Sequence, residues 1–139
     1  MARTITVEGD VNAVDTRVLL TAQGSVTAPS LVVPAGMTKI KKIIAAASHD
    51  GAADDGSAIW FLRLGGNAVL NGEQTIMFGA GGNGTVQTGS DAAPNNMVPF
   101  VLNDCDIDVR PSDTISIAAE FAGVDIGDTA VAVTLVYGK

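Results

Sequence analysis

One histidine, one cysteine and a few crowded aspartates are the residues of this chain whose types could do chemistry. His49 stands in the stretch SHDGAADDGS, directly before Asp50 and close to Asp54 and Asp55. Carboxylates set this close offer the hard oxygen ligands that a calcium ion takes. The spacing Asp-x-x-x-Asp-Asp is not that of an EF-hand, however, and aspartate is the ordinary residue of turns because its side chain bonds its own backbone. Asp50, Asp54 and Asp55 are therefore weak calcium candidates, and Asp125 with Asp128 forms a second, smaller group. His49 beside Asp50 makes a pH-sensitive pair rather than a ligand set.

Catalysis finds little to stand on. A metal-binding cupin needs several histidine and glutamate ligands, and the chain has one histidine. No Gly-x-Ser-x-Gly, Walker A or His-Glu-x-x-His pattern occurs. The glycines of LGGNAVLNG and GAGGNG lack the strand, spacing and helix of a dinucleotide site. Asp106 and Asp108 share one side of a strand and read as its solvated face. Cys105, the sole cysteine, reads as a small buried apolar group. No catalytic residue, cofactor or firm metal site is expected, and the protein reads as a non-enzyme.

Composition narrows the partners. The 139 residues carry 15 acids against 8 lysines and arginines, a formal charge of −7. Phosphate contacts need the opposite balance, which argues against nucleic acid as a partner. Hydrophobic residues make up 47% and charged residues 17%, apolar for a soluble monomer. No run is long enough to cross a bilayer as a helix, so membrane insertion is not expected. The start MARTITVEGD has no apolar core of a secretory signal, which points to synthesis in a cytoplasm.

The elements that must position these residues are short apolar runs separated by turn chemistry. Ile115, Ile117, Ala119 and Phe121 alternate with period two, as do Val131, Val133, Leu135 and Tyr137, the mark of half-buried strands. One stretch disagrees: in VPAGMTKIKKIIAAA, Ile40, Ile43, Ile44 and Ala47 fall at helix spacing. A helix there would be alone in the chain, and the Pro-Ala-Gly turn before it feeds a strand. A strand over 38–48 is the reading, with Lys41-Lys42 as a β-bulge or an edge guarded by lysine. The fold class is all-β: a single-domain antiparallel β-sandwich or jelly roll of about eight strands, with long Gly/Asn-rich loops. Residues 1–16 read as an N-terminal strand or arm and 17–139 as the sandwich.

The outward faces of these strands are not polar. Ala130, Ala132, Thr134 and Val136 lie opposite the apolar face of the last strand, and AIWFLRL is apolar on both sides. Strands of this kind need a cover, either a neighbouring copy or the chain's own loops. The long stretch 79–97, poor in charge, suits lying against another surface or remaining disordered.

The Pro-Ala-Gly turn into a long strand at 34–48, and the run DIDVRPSDTISIAA (106–119) followed by a final VAVTLVY strand, resemble small viral shell proteins. These are the single jelly-roll capsid proteins and the β-sandwich decoration, or cement, proteins of tailed phages. The resemblance implies a non-enzymatic virion protein that forms symmetric homo-oligomers, often trimers, and contacts other capsid proteins. It carries no site residues across. Residues 1–16 hold Arg3 against Glu8, Asp10 and Asp15, unlike the basic arm of a genome-holding capsid. On this reading Lys39, Lys41 and Lys42 form a contact patch for an acidic neighbour, and Ala130, Ala132, Thr134 and Val136 a self-assembly face. The alternative is a carbohydrate- or polymer-binding sandwich module, calcium-dependent through its Asp-rich loops, with Trp60 exposed for stacking on sugars.

Overall fold

A computed structural model describes residues 3–22, 31–49, 58–79, 95–96, 100–123 and 129–139. They form eleven strands: β1 (Arg3–Val11), β2 (Val18–Leu19), β3 (Thr21–Ala22), β4 (Leu31–Val32), β5 (Lys39–His49), β6 (Ala58–Gly65), β7 (Gln74–Gly79), β8 (Asn95–Asn96), β9 (Phe100–Asp108), β10 (Thr114–Gly123) and β11 (Thr129–Gly138). Seven are six residues or longer, and four are two-residue pieces that patch the sheet edges. The expected all-β sandwich is what forms.

The first sheet runs β3-β1-β11-β5, with β9 along the far side of β5 and β8 at its end. The second runs β10-β6-β7, with β2 and β4 sharing the other side of β10. Every pairing is antiparallel, and the pairs nest. The first strand pairs with the last, β1 with β11, and β2 and β4 pair with β10. Inside these, β5 pairs with β9 and β6 with β7. This is one long hairpin, rolled so that β5 also meets β11 and β6 also meets β10. Nested hairpin pairs wrapped into two facing sheets are the jelly-roll arrangement. Residues Arg3–Val11 of the N-terminal segment take part as β1, paired along all nine residues with β11 of the same chain.

The period-two faces point inward. Ile115, Ile117, Ala119 and Phe121 from one sheet, and Val131, Val133, Leu135 and Tyr137 from the other, are all buried. Trp60 sits among them, its ring centroid 5.0 Å from Phe121 and 5.8 Å from Phe78. Tilted rings at these separations suit the aromatic quadrupole. The turn into β5 closes with Met37 N–H donating to Pro34 O at 3.1 Å, and Gly36 takes φ 80°. That is the type II pattern, whose third residue needs a left-handed backbone. The echo at 110–113 repeats it, with Ser112 at φ 64° after Pro111.

The run at 38–48 is a strand, and its helix-like spacing has a physical cause. Val136 and Tyr137 of β11 pair with Lys42 and Ile40, so Lys41 has no residue opposite it. On the other side, Ile40 and Lys42 pair with Ile107 and Asn103 of β9. One extra residue shifts the alternation by a step. Ile40 and Ile43 therefore both point inward, three positions apart, while Ile44 turns outward.

Candidate functional site

Two surfaces hold the residues that sequence reasoning singled out: the outer face of the first sheet and the bulged margin where β5 meets β9. On β11 the residues between the buried positions are Ala130 and Ala132, exposed, and Thr134 and Val136, half-buried. Register places Glu8 and Ala46 on either side of Ala132, Thr6 and Ile44 beside Thr134, and Thr4 and Lys42 beside Val136. Lys42 and the four β11 residues thus share one face. Thr6 and Thr134 share a hydrogen bond of 3.0 Å between their hydroxyls. Val101 of β9, 45% exposed, lies opposite Ile44 and extends the apolar floor.

The other two lysines of the expected patch are engaged at the bulge. Lys39 Nζ donates to Asp108 Oδ1 and Lys41 Nζ to Asp106 Oδ1, each at 2.6 Å. The hydrogen bond to Asp108 raises the Lys39 pKa, and the bond from Lys41 lowers that of Asp106. On β9, Asp104 and Asp106 both have left-handed backbones, φ 52° and 47°, which carry three residues out of the ladder opposite Lys41. Between them Cys105 Sγ–H donates to Ile40 O at 3.1 Å. Burial pushes the Cys105 thiol up, away from the thiolate that a nucleophile needs.

The outer face of the second sheet is a surface that the sequence disclosed in part. Ile59 and half-buried Phe61 were legible there; Leu19 and Met77, 53% and 54% exposed, were not. Met77 lies opposite Phe61, and Ala122 opposite Ile59, so these form one apolar patch. Beside it Arg63 bonds Glu120 and Thr75, and its guanidinium carbon lies 5.6 Å from the Phe61 ring centroid. Arg17 spans Glu73 at 3.0 Å and Glu120 at 3.9 Å. Two arginines and two glutamates are matched within the face.

The weak calcium candidates Asp50, Asp54 and Asp55 lie outside the described residues, as do Asp125 and Asp128. Among the described residues no three His, Cys, Asp or Glu side chains converge as a metal site. Trp60 is wholly buried, so the sugar-stacking platform expected of a binding module is not at that residue. No helix among the described residues is long and apolar enough to cross a membrane.

The sequence matches no protein-family model and none of the curated proteins. Among solved structures, the chain is similar to a structure of the Gx strain of infectious bursal disease virus, with TM-score 0.49 and 16% identity over 98% of this chain. It is also similar to a VP2 subviral particle of infectious bursal disease virus, with TM-score 0.40, 15% identity and 98% of this chain covered. A structure of the Gt strain gives 0.39, 18% and 100%. The likeness is one of fold. The chain spans about a third of those chains: 32%, 33% and 37% in the same order.

Proposed function

We propose that this chain is a non-enzymatic structural protein of a virion, a symmetric homo-oligomer that coats or stabilises an icosahedral capsid. A trimer is the favoured closed form, acting as a decoration protein or as a jelly-roll shell subunit. Its partners are copies of itself and other capsid proteins, and its place is the virion, after synthesis in the host cytoplasm. Neither nucleic acid nor a membrane is a partner on this reading.

One observation carries it: both outer faces of the jelly roll expose apolar side chains, Val101 on one and Leu19, Ile59 and Met77 on the other. Viral capsid and lectin domains both use this fold, so the surface and not the fold has to decide. A lectin presents one polar, aromatic-lined site; a shell protein must cover several faces. Apolar patches on separate faces suit contacts with several neighbours.

Sedimentation of the purified protein, with and without a calcium chelator, tests the reading. A closed oligomer indifferent to the chelator is the expected result. A monomer that loses stability on chelation would transfer the assignment to a calcium-dependent binding module.

A further inference from the structure

We propose that the outer face of the first sheet is a two-fold contact between two copies of this chain, in which Asp10 of each copy meets Lys42 of the other. The inference rests on the homo-oligomeric reading above and adds to it a face, a symmetry and a register.

Charge placement chooses the occupant. The floor of the face is uncharged: Ala130, Ala132, Thr134 and Val136 on β11, flanked by Ile44 and Ala46 on β5. Charges stand at two opposite corners, acids at one and a lysine at the other; Glu8, exposed and opposite Ala132 on β1, lies two residues from Asp10 on the acidic side. Asp10, exposed, lies opposite Ala130 at one end of β1, and Lys42 lies opposite Val136 near the other end of the face, on β5. Strand spacing and rise put these corners roughly 10 Å apart across the strands and roughly 20 Å apart along them. A two-fold axis lying in the face, passing over the middle of β11 and perpendicular to that diagonal, exchanges the corners. Each Asp10 then sits over the partner's Lys42, and the pair forms twice because an isologous contact repeats every interaction.

Three further observations agree. Lys39 and Lys41 have carboxylate partners, whereas Lys42 has no ion pair among the described residues. The polar groups at the centre, Thr6 and Thr134, bond each other, so covering them leaves no hydroxyl pair stranded. A chain of charge −7 repels its own copies unless the contact aligns cation with anion. The second sheet offers no such instruction, since Arg17 and Arg63 are already matched by Glu73 and Glu120. Its charges are neutral toward any partner, while those of the first sheet are complementary to themselves. The two-fold contact is where closed oligomers meet in pairs.

Sedimentation equilibrium of the full chain tests this, using Asp10→Lys, Lys42→Asp and the double variant, with thermal melts to show that each folds. The wild type should associate into dimers, or into hexamers where the trimer proposed above also forms, since two trimers then meet through this face; a stable trimer with no even-numbered species would overturn the contact. Each single swap should weaken that association at least about tenfold, and the double swap should restore most of it. Ala132→Arg, at the exposed centre of the floor, should abolish it without reference to the charge pair. Single swaps that match the wild type, or a double swap no better than the singles, would overturn the contact. If the wild type still oligomerises in that case, the structural role stands and another face is responsible. A wild type that remains monomeric at every concentration would overturn both.

Discussion

Lys41 has no residue opposite it on either flanking strand, and its ammonium reaches Asp106, which β9 swings out of the ladder with a left-handed backbone. The two bulges face each other, and the ion pair closes the gap between them. A second clasp, Lys39 to Asp108, lies beside it. The Lys41 stem passes over Gly138, where a Cβ would stand 2.7 Å from Lys41 Cγ. The position of the bulge is thus fixed from both sides.

Asp106→Asn should separate the charge from the geometry, because asparagine tolerates the left-handed backbone. The Asp106 carboxyl is held below its ordinary value of 3.8 mainly by the hydrogen bond from Lys41. A depressed folded pKa means that the folded state binds its proton less readily than the unfolded chain. The stability it supplies is present above that ordinary value and is lost as pH falls through the folded pKa. Denaturant midpoints taken from neutral to acid pH should show Asp106→Asn less stable at pH 7 and with a shallower acid limb. Parallel curves would show that the pair contributes nothing measurable.

Gly36→Ala and Gly66→Ala should differ in size for a reason that the backbone makes plain. Both glycines have left-handed φ, 80° and 88°. A Cβ on Gly36 meets nothing within 4 Å, so its cost is backbone strain, about 1 kcal/mol. A Cβ on Gly66 lies 2.9 Å from Thr114 O and 3.0 Å from Ser116 N, so β10 must move. That variant should lose about 3 kcal/mol or more. Equal losses in urea denaturation would contradict this account.

Trp60→Ala should cost about 3–5 kcal/mol, because the indole packs between Phe78 and Phe121 with no exposure. Met77→Ser, on the outer face of the second sheet, should leave monomer stability within about 0.5 kcal/mol. If that face is a contact in an assembly, Met77→Ser should instead reduce the assembled fraction. Chemical denaturation beside sedimentation separates the two effects.

Much of this fold was legible because period two survives wherever strands are regular. The alternating faces of 115–121 and 131–137 gave the two sheets their inner surfaces, and the Pro-x-Gly and Pro-Ser turns gave their entries. At 38–48 the apolar spacing imitates a helix, and the Pro-Ala-Gly turn with the all-strand context pointed to the strand; that the irregularity is a bulge at Lys41 depends on β9 and β11. Partners remote in sequence were not legible. Lys41 and Asp106 are 65 residues apart, and Arg63 and Glu120 are 57 apart. Composition showed three lysines close together, but which were free depended on those distant acids. Likewise Leu19 and Leu20 are chemically equal neighbours, and the pairing of β2 with β10 decides that Leu19 faces out.

Tyr137→Phe should raise stability. The side chain is wholly buried at the β11 end of the core, and its hydroxyl has no hydrogen-bond partner among the described residues. Burying an unpaired hydroxyl costs about 1–3 kcal/mol, and phenylalanine fills nearly the same space without it. The same burial pushes the phenol up from 10.0 to about 12. A raised pKa means that the folded state holds the proton more tightly than the unfolded chain. Stability is therefore full below pH 10 and falls as pH climbs through the interval to about 12. Tyr137 is the sole tyrosine of the chain, so phenolate absorbance reports this one group. The wild type should show that absorbance rising together with loss of strand circular dichroism. Tyr137→Phe should be more stable at pH 7 and should flatten this alkaline fall. Phenolate formation near pH 10 with the sheets intact would mean that the hydroxyl reaches water, and that its burial costs the fold nothing.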